Sequence, residues 1–240
     1  MIESSQAVDL LRSDPQWRHA VANLRDLKRD HGAHAETRAQ NYAAEYDNAR
    51  GAMIVDVVAS RQRRYSTRVR KIVADWKARN AEHTIAWLAT QPLQRELYGL
   101  SDGEVTTIHE VANQLCAFVS REGITAREEE DRLCRIWADR YGAIEHAPRL
   151  DPVVGSVKGI GLALFAYARM RSGADAIKPD IRVVRAMRSL GFLVPKDEHA
   201  VLLITRAAAE EIGMSRLVLD QLLWWRDNDD VPGISGQIST

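Results

Sequence analysis

Two cysteines in 240 residues, Cys116 and Cys134, are too few for a disulfide framework or for an iron–sulfur cluster held by four thiolates. Both lie in apolar helical patterns, NQLCAFV and DRLCRIW, so buried free thiols are expected. There are seven prolines, and strand-like alternation between turn signals is scarce, so the chain reads as helical nearly throughout. No window holds 18 consecutive apolar residues, which argues against a membrane-spanning helix. The start, MIESSQAVDLLRSD, is acidic and has no apolar core of a secretory signal, so a soluble cytoplasmic protein with no membrane partner is expected. Net charge is also lacking. Lys plus Arg and Asp plus Glu are 33 each, so any nucleic-acid footprint is a local patch and not a global field.

What remains is apolar enough to fold, since hydrophobic residues make up 45% and permit a sizeable core. Asp14-Pro15 has the form of an N-cap followed by proline at the first helical position, and Trp17, Val21, Leu24 and Leu27 then share a face. The polar residues 30–40 are the best place for a break. A long helical tract follows over residues 42–80, interrupted near Gly51. Within it, residues 61–71, RQRRYSTRVRK, carry six basic side chains and one aromatic, which reads either as a solvated helix face or as a strip for a phosphate backbone. Ser101 with Glu104 precedes a helix over residues 105–120, and Thr125 with Glu128 has capping-box spacing for another over 126–141. Asp151-Pro152 starts a short helix expected to run through Val157. Ser215 caps a last helix, residues 216–226, and the polar tail from residue 230 is expected to fray.

The densest information lies in residues 157–185, VKGIGLALFAYARMRSGADAIKPDIRVVR. Gly159 and Gly161 bracket a tight turn between helical runs, and a turn without Cβ atoms lets backbone amides approach a ligand closely. The second helix adds the partial positive charge of its N-terminus. Such a helix–hairpin–helix grips a phosphate without reading bases, and Lys158 within the turn adds a charge. The alternative is an interhelical turn whose glycines serve packing. Twenty residues on, Asp180 stands at a helix start, where a carboxylate is also an ordinary N-cap.

These residues resemble the helix–hairpin–helix DNA glycosylase superfamily, of the endonuclease III and MutY type. The family pattern is a Leu-Pro-Gly-Val/Ile-Gly hairpin, a small or apolar helix and an Asp-x-His-Val-x-Arg element. Here these correspond to Val157-Lys158-Gly159-Ile160-Gly161 and to Asp180-Ile181-Arg182-Val183-Val184-Arg185. The resemblance covers about residues 150–191. It implies an all-α, two-lobed glycosylase-like fold, divided here into an N-terminal helical region 1–100, a glycosylase core 101–229 and a flexible tail 230–240.

The resemblance also implies an enzyme that flips a nucleotide out of double-stranded DNA into a pocket between helical lobes and cuts its N-glycosidic bond. Asp180 is then the catalytic carboxylate. The DNA-facing set is Val157, Lys158, Gly159, Ile160, Gly161 and Ala163, with Lys178 and Arg182 flanking the carboxylate. Arg185 is read as structural or as a phosphate contact.

Several positions depart from the family. The nucleophilic Lys of bifunctional members is replaced by Ala163, which implies a monofunctional, water-using enzyme without lyase activity. The four-cysteine cluster is absent, the hairpin Pro is Lys158, and the His of the later element is Arg182. No cofactor is expected beyond the monovalent cation that some members hold on hairpin carbonyls. The base pocket is not covered by the motif; Trp87, Tyr98, Trp137 and Tyr141 are the aromatic candidates, each with core packing as the alternative. A monomer acting on an alkylated purine, or on a modified pyrimidine of foreign (phage) DNA in defence, is one expectation. A non-catalytic helix–hairpin–helix DNA-binding module is the other.

Overall fold

The cap-plus-proline signal at residue 14 starts a helix as the spacing predicts. Asp14 Oδ1 accepts the Gln16 amide at 2.7 Å, and α2 runs Pro15–Tyr42 behind α1, Ser4–Ser13. The structure is a computed structural model that describes residues 4–121 and 129–226. It is all-α, with no strand among the described residues. The tail 230–240 and the Thr125/Glu128 capping box lie outside them.

The break expected at residues 30–40 does not occur, because Gly32 and Ala35 are buried and continue the apolar face with small residues. Nor does Gly51 break a helix. It lies inside α3, Arg50–Ala59, where its amide donates to the His83 carbonyl at 2.8 Å and a Cβ would collide with the Thr84 carbonyl. The glycine serves a close approach of two backbones. The tract breaks instead at residues 43–49 and 60–64; the second contains Gln62 at φ +55°, and a π-helical turn, Tyr65–Val69, leads into α4, Arg70–Arg79.

The remaining helices are α5 (Ile85–Thr90), α6 (Arg95–Tyr98), α7 (Asp102–Arg121), α8 (Glu130–Arg140), α9 (Leu162–Arg171), α10 (Ile181–Ser189), α11 (Glu198–Glu211) and α12 (Arg216–Arg226). Their starts follow side-chain chemistry. Thr84 accepts the Trp87 amide, Ser101 and Glu104 form a reciprocal capping box, and Ser215 accepts the Val218 amide.

The chain divides into two compact units, Met1–Asn41 with Asp175–Thr240, and Tyr42–Ala174. This replaces the division at residue 100, since α5 packs on α7 and one core spans that position. In the second unit α3 is the hub. All ten of its residues are buried, and it meets α4, α5, α7, α8 and α9. Each of its large apolar side chains contributes about 1.5–3 kcal/mol on burial. Cys134 is buried and Cys116 half-buried, both as free thiols; burial pushes the Cys134 thiol up to about 12. In the first unit α10 and α11 pack on α12, and Trp17 meets Phe192 edge-on at 5.0 Å. Lys28 donates to the Ile212 carbonyl at 2.7 Å and so satisfies the end of α11. Among the described residues no helix is long and apolar enough to cross a membrane.

Candidate nucleic-acid hairpin and carboxylate site

Asp151 shapes the approach to the hairpin. Its carboxylate is fully buried and accepts the amides of Val153, Val154 and Gly155 at 2.9, 3.0 and 2.8 Å, with the Trp137 indole N–H at 3.1 Å. These bonds hold residues 152–156 in turns, after a short 3-10 helix, Pro148–Leu150. The helix expected to run through Val157 is therefore not formed. Gly155 permits the turn, since a Cβ there would collide with the Pro148 carbonyl. Arg149 braces it by donating to the carbonyls of Ser156 at 3.0 Å and Val157 at 3.3 Å.

The two hairpin glycines have different reasons to be glycine. Gly159 has φ +97°, and a Cβ would stand 2.6 Å from Thr107 Oγ1. That hydroxyl lies 2.9 Å from the Lys158 carbonyl and 2.8 Å from the Gly103 carbonyl. Gly159 is thus required by the fold. Gly161 has an ordinary φ of −95° and nothing within 4 Å of where a Cβ would be. It is the N-cap of α9 and brings no capping side chain, so the first amides of that helix have no side-chain cap. Val157 and Ile160 are buried and can serve a ligand only through backbone atoms, whereas Lys158 is exposed and Ala163 half-buried. Of the hairpin carbonyls, Val157 accepts from Ile160 and Arg149, Lys158 from Thr107 and Gly161 from Phe165. Arg149 places positive charge at the Val157 carbonyl. Among the described residues no group of His, Cys, Asp or Glu is arranged to hold a metal ion.

Asp180 belongs to the other unit and caps α10. Its Oδ1 accepts the amides of Arg182 at 2.9 Å and Val183 at 3.2 Å, which fixes the carboxylate. Its Oδ2 is left off the cap, 3.7 Å from the Lys178 ammonium, and the side chain is 27% exposed. The Lys178 amine faces Asp180, and its backbone amide donates to Asp220 at 3.1 Å. Arg182 is half-buried and Arg185 exposed. Glu198, in the first turn of α11, is held above its ordinary value by burial, with Asp197 and Asp180 adding to the rise against the lowering by His199. No pattern in the sequence couples Glu198 to Asp180.

The aromatic candidates for a base pocket are drawn into the core of their unit. Trp137 is fully buried, edge-on to Phe165 at 5.9 Å, and has no face left for a base to stack on. Tyr98 is buried, and Trp87 and Tyr141 are half-buried against the same cluster. Trp87 donates its indole N–H to Asn80 at 3.2 Å.

Sequence reasoning missed a buried polar cluster at the far end of α9. The Arg171 guanidinium lies over Tyr42 at 3.9 Å, Tyr46 at 5.0 Å, Tyr167 at 5.4 Å and Tyr65 at 6.0 Å. It donates to the hydroxyls of Tyr65 at 2.6 Å and Tyr167 at 3.1 Å, and pairs with Glu45 at 2.7 Å and Asp56 at 3.3 Å. Burial, then the charge of Asp56, raises the Tyr46, Tyr65 and Tyr167 hydroxyls. The tyrosines are scattered over more than 100 residues, so no local spacing signals them.

No family model, no curated protein and no solved structure matches the chain.

Proposed function

We propose that this chain is a monofunctional DNA glycosylase of the helix–hairpin–helix superfamily, acting as a monomer on double-stranded DNA that contains a modified base. The observation that carries the reading is Asp180. One of its carboxylate oxygens is fixed by two backbone amides, and the other is kept off the cap and beside an ammonium. A fixed, ionised carboxylate is what breaking an N-glycosidic bond calls for, because positive charge develops on the sugar as the base departs. Gly161 supports the DNA-binding half of the reading, since the fold does not require a glycine there.

In this reading Asp180 stabilises the cationic sugar and accepts a proton from water. The water oxygen bonds to the anomeric carbon as the carbon–nitrogen bond breaks, and the proton that Asp180 took from the water passes on to the departing base, which restores the carboxylate. With Ala163 where bifunctional members carry Lys, the nucleophile is water and the strand stays intact. An alkylated purine and a modified pyrimidine of foreign DNA are the two substrate classes.

A second reading, a non-catalytic DNA-binding module, is favoured by the regular capping geometry of Asp180 and by the turns that stand in place of the hairpin's first helix. The test is incubation with DNAs of varied modified-base content, followed by mass spectrometry for free bases. Free base with abasic sites and no nicks supports the glycosylase. Prompt nicking overturns the water route, and binding without release from any substrate leaves the non-catalytic module.

A further inference from the structure

The zero net charge of the chain conceals a local excess. Arg61, Arg64, Arg68 and Arg70 are exposed, and none of their side chains makes a hydrogen bond or ion pair with another described residue. They lie within ten residues: Arg61 and Arg64 between α3 and the π-helical turn, Arg68 in that turn and Arg70 at the start of α4. Neighbouring acids of the same unit are already paired. Arg63 holds Glu104 through both carboxylate oxygens, Arg95 holds Glu96 and Asp102 at 2.7 and 2.6 Å, and Lys71 holds Asp75 at 2.9 Å. Those three cations meet four carboxylates, so the four arginines keep a local excess of three positive charges, and the exposed ammonium of Lys158 in the hairpin adds one more.

The same helix joins the two groups. Arg63 fixes the arginine turn to Glu104 and to the Gly99 carbonyl, just before α7. Thr107, three residues further along α7, fixes the hairpin through the Lys158 carbonyl and fills the space beside Gly159. Residues three apart on a helix are neighbours, with Cβ atoms about 5–6 Å apart. The arginine turn and the glycine hairpin are thus docked side by side on the first two turns of α7.

We infer that residues 61–70 and 158–161 form one docking surface for the phosphate backbone of duplex DNA. Amides at Gly161 approach one phosphate, and Lys158 and the arginines neutralise its neighbours. The inference rests on the DNA-binding half of the reading above and not on its chemistry.

The test is equilibrium binding of the full chain to an unmodified duplex, read by fluorescence anisotropy across about 50–200 mM salt. Each phosphate neutralised contributes about 0.9 to the slope of log affinity against log salt on B-form DNA. The combined variant Arg61→Gln, Arg64→Gln, Arg68→Gln is expected to lower that slope by about 2–3, and Lys158→Gln by about 1. The matching triple Arg→Lys variant keeps the charge and is expected to keep the slope. None of these side chains has a hydrogen bond or ion pair to lose among the described residues, and Arg68 alone packs on Gly99, so circular dichroism melting should change little. A wild-type slope in the glutamine variant overturns the surface, as does a loss equally large in the lysine variant. Tighter binding of an A-form RNA duplex overturns the assignment to DNA. Base release by a chain whose slope the arginines do not move sinks this inference alone; duplex binding through the arginines with no release from any substrate sinks the catalytic reading alone.

Discussion

The Thr107 hydroxyl lies 2.9 Å from the Lys158 carbonyl and occupies the space a Cβ on Gly159 would need. Two glycines two positions apart therefore answer to different constraints. Gly159→Ala forces an L side chain to φ +97° against Thr107 and should cost about 1–3 kcal/mol in urea denaturation. Adding Thr107→Ala should recover part of that loss, because it removes the collision and leaves the strained dihedral. Full additivity of the two would show that the contact plays no part.

Gly161→Ser should behave in the opposite way. The position is open and is an N-cap, so serine should leave stability unchanged or raise it by about a few tenths of a kcal/mol. On the proposed DNA-binding reading the added side chain fills the phosphate's approach, so affinity for every duplex sequence should fall alike. Unchanged affinity would remove the hairpin from the interface. A fall confined to one base would make the turn part of the base pocket.

Asp180→Asn separates capping from catalysis. Asparagine caps as well as aspartate, so thermal stability should be close to wild type and duplex binding retained, while base release is abolished. Asp180→Ala should in addition cost about 1 kcal/mol through loss of the cap. Base release by Asp180→Asn at the wild-type rate would refute the catalytic assignment.

The Arg171 cluster, at the end of α9 opposite Gly161, predicts a large stability effect. Arg171→Met would leave Asp56, which is 0% exposed, without its cation and should cost about 3–5 kcal/mol in chemical denaturation. Arg171→Lys should not restore it, because an ammonium cannot meet Tyr65, Tyr167, Glu45 and Asp56 in the fork geometry that a guanidinium provides. A loss below about 1 kcal/mol in the methionine variant would show that the cluster is held by its tyrosines alone.

Glu104 predicts a pH dependence. Burial pushes its carboxyl up, but the hydrogen bonds from Arg63 and Ser101 outweigh burial and hold it below 4.5. A depressed folded value contributes stability that is present above pH 4.5 and is lost as pH falls through the folded value. Glu104→Gln should lower stability by about 1.5–3 kcal/mol at pH 7 and by less in stronger acid. Denaturation curves of the two proteins at pH 7 and pH 3 check this; an equal gap at both pH values contradicts it.

Much of the local structure was legible in the residues. Asp14-Pro15, the Ser101/Glu104 box and Asp180 before Ile181 each mark a helix start, because a cap is made within four residues of itself. The Gly-Ile-Gly turn and the helix after it also lie where the spacing puts them. The errors came where a residue's role depends on a distant partner. Gly51 looked like a breaker and is a close approach to His83 and Thr84, more than 30 residues away. Asp151-Pro152 looked like a helix start, yet Asp151 is drawn into turns by an indole from α8 as well as by its own loop. For Trp137 the core-packing reading is the one the structure favours, since that same bond and Phe165 occupy the indole.

The sequence by itself determined the all-helical class, most helix starts and the separation of a glycine hairpin from a later capped carboxylate. These follow from short-range rules of periodicity, capping and backbone freedom. Only the tertiary structure decided which of the two glycines the fold requires, which arginines keep an unspent charge, and that the arginine turn and the hairpin share α7. Those properties depend on what each side chain meets across the core, and pairing between residues 41 and 51 positions apart leaves no periodic trace in a single chain.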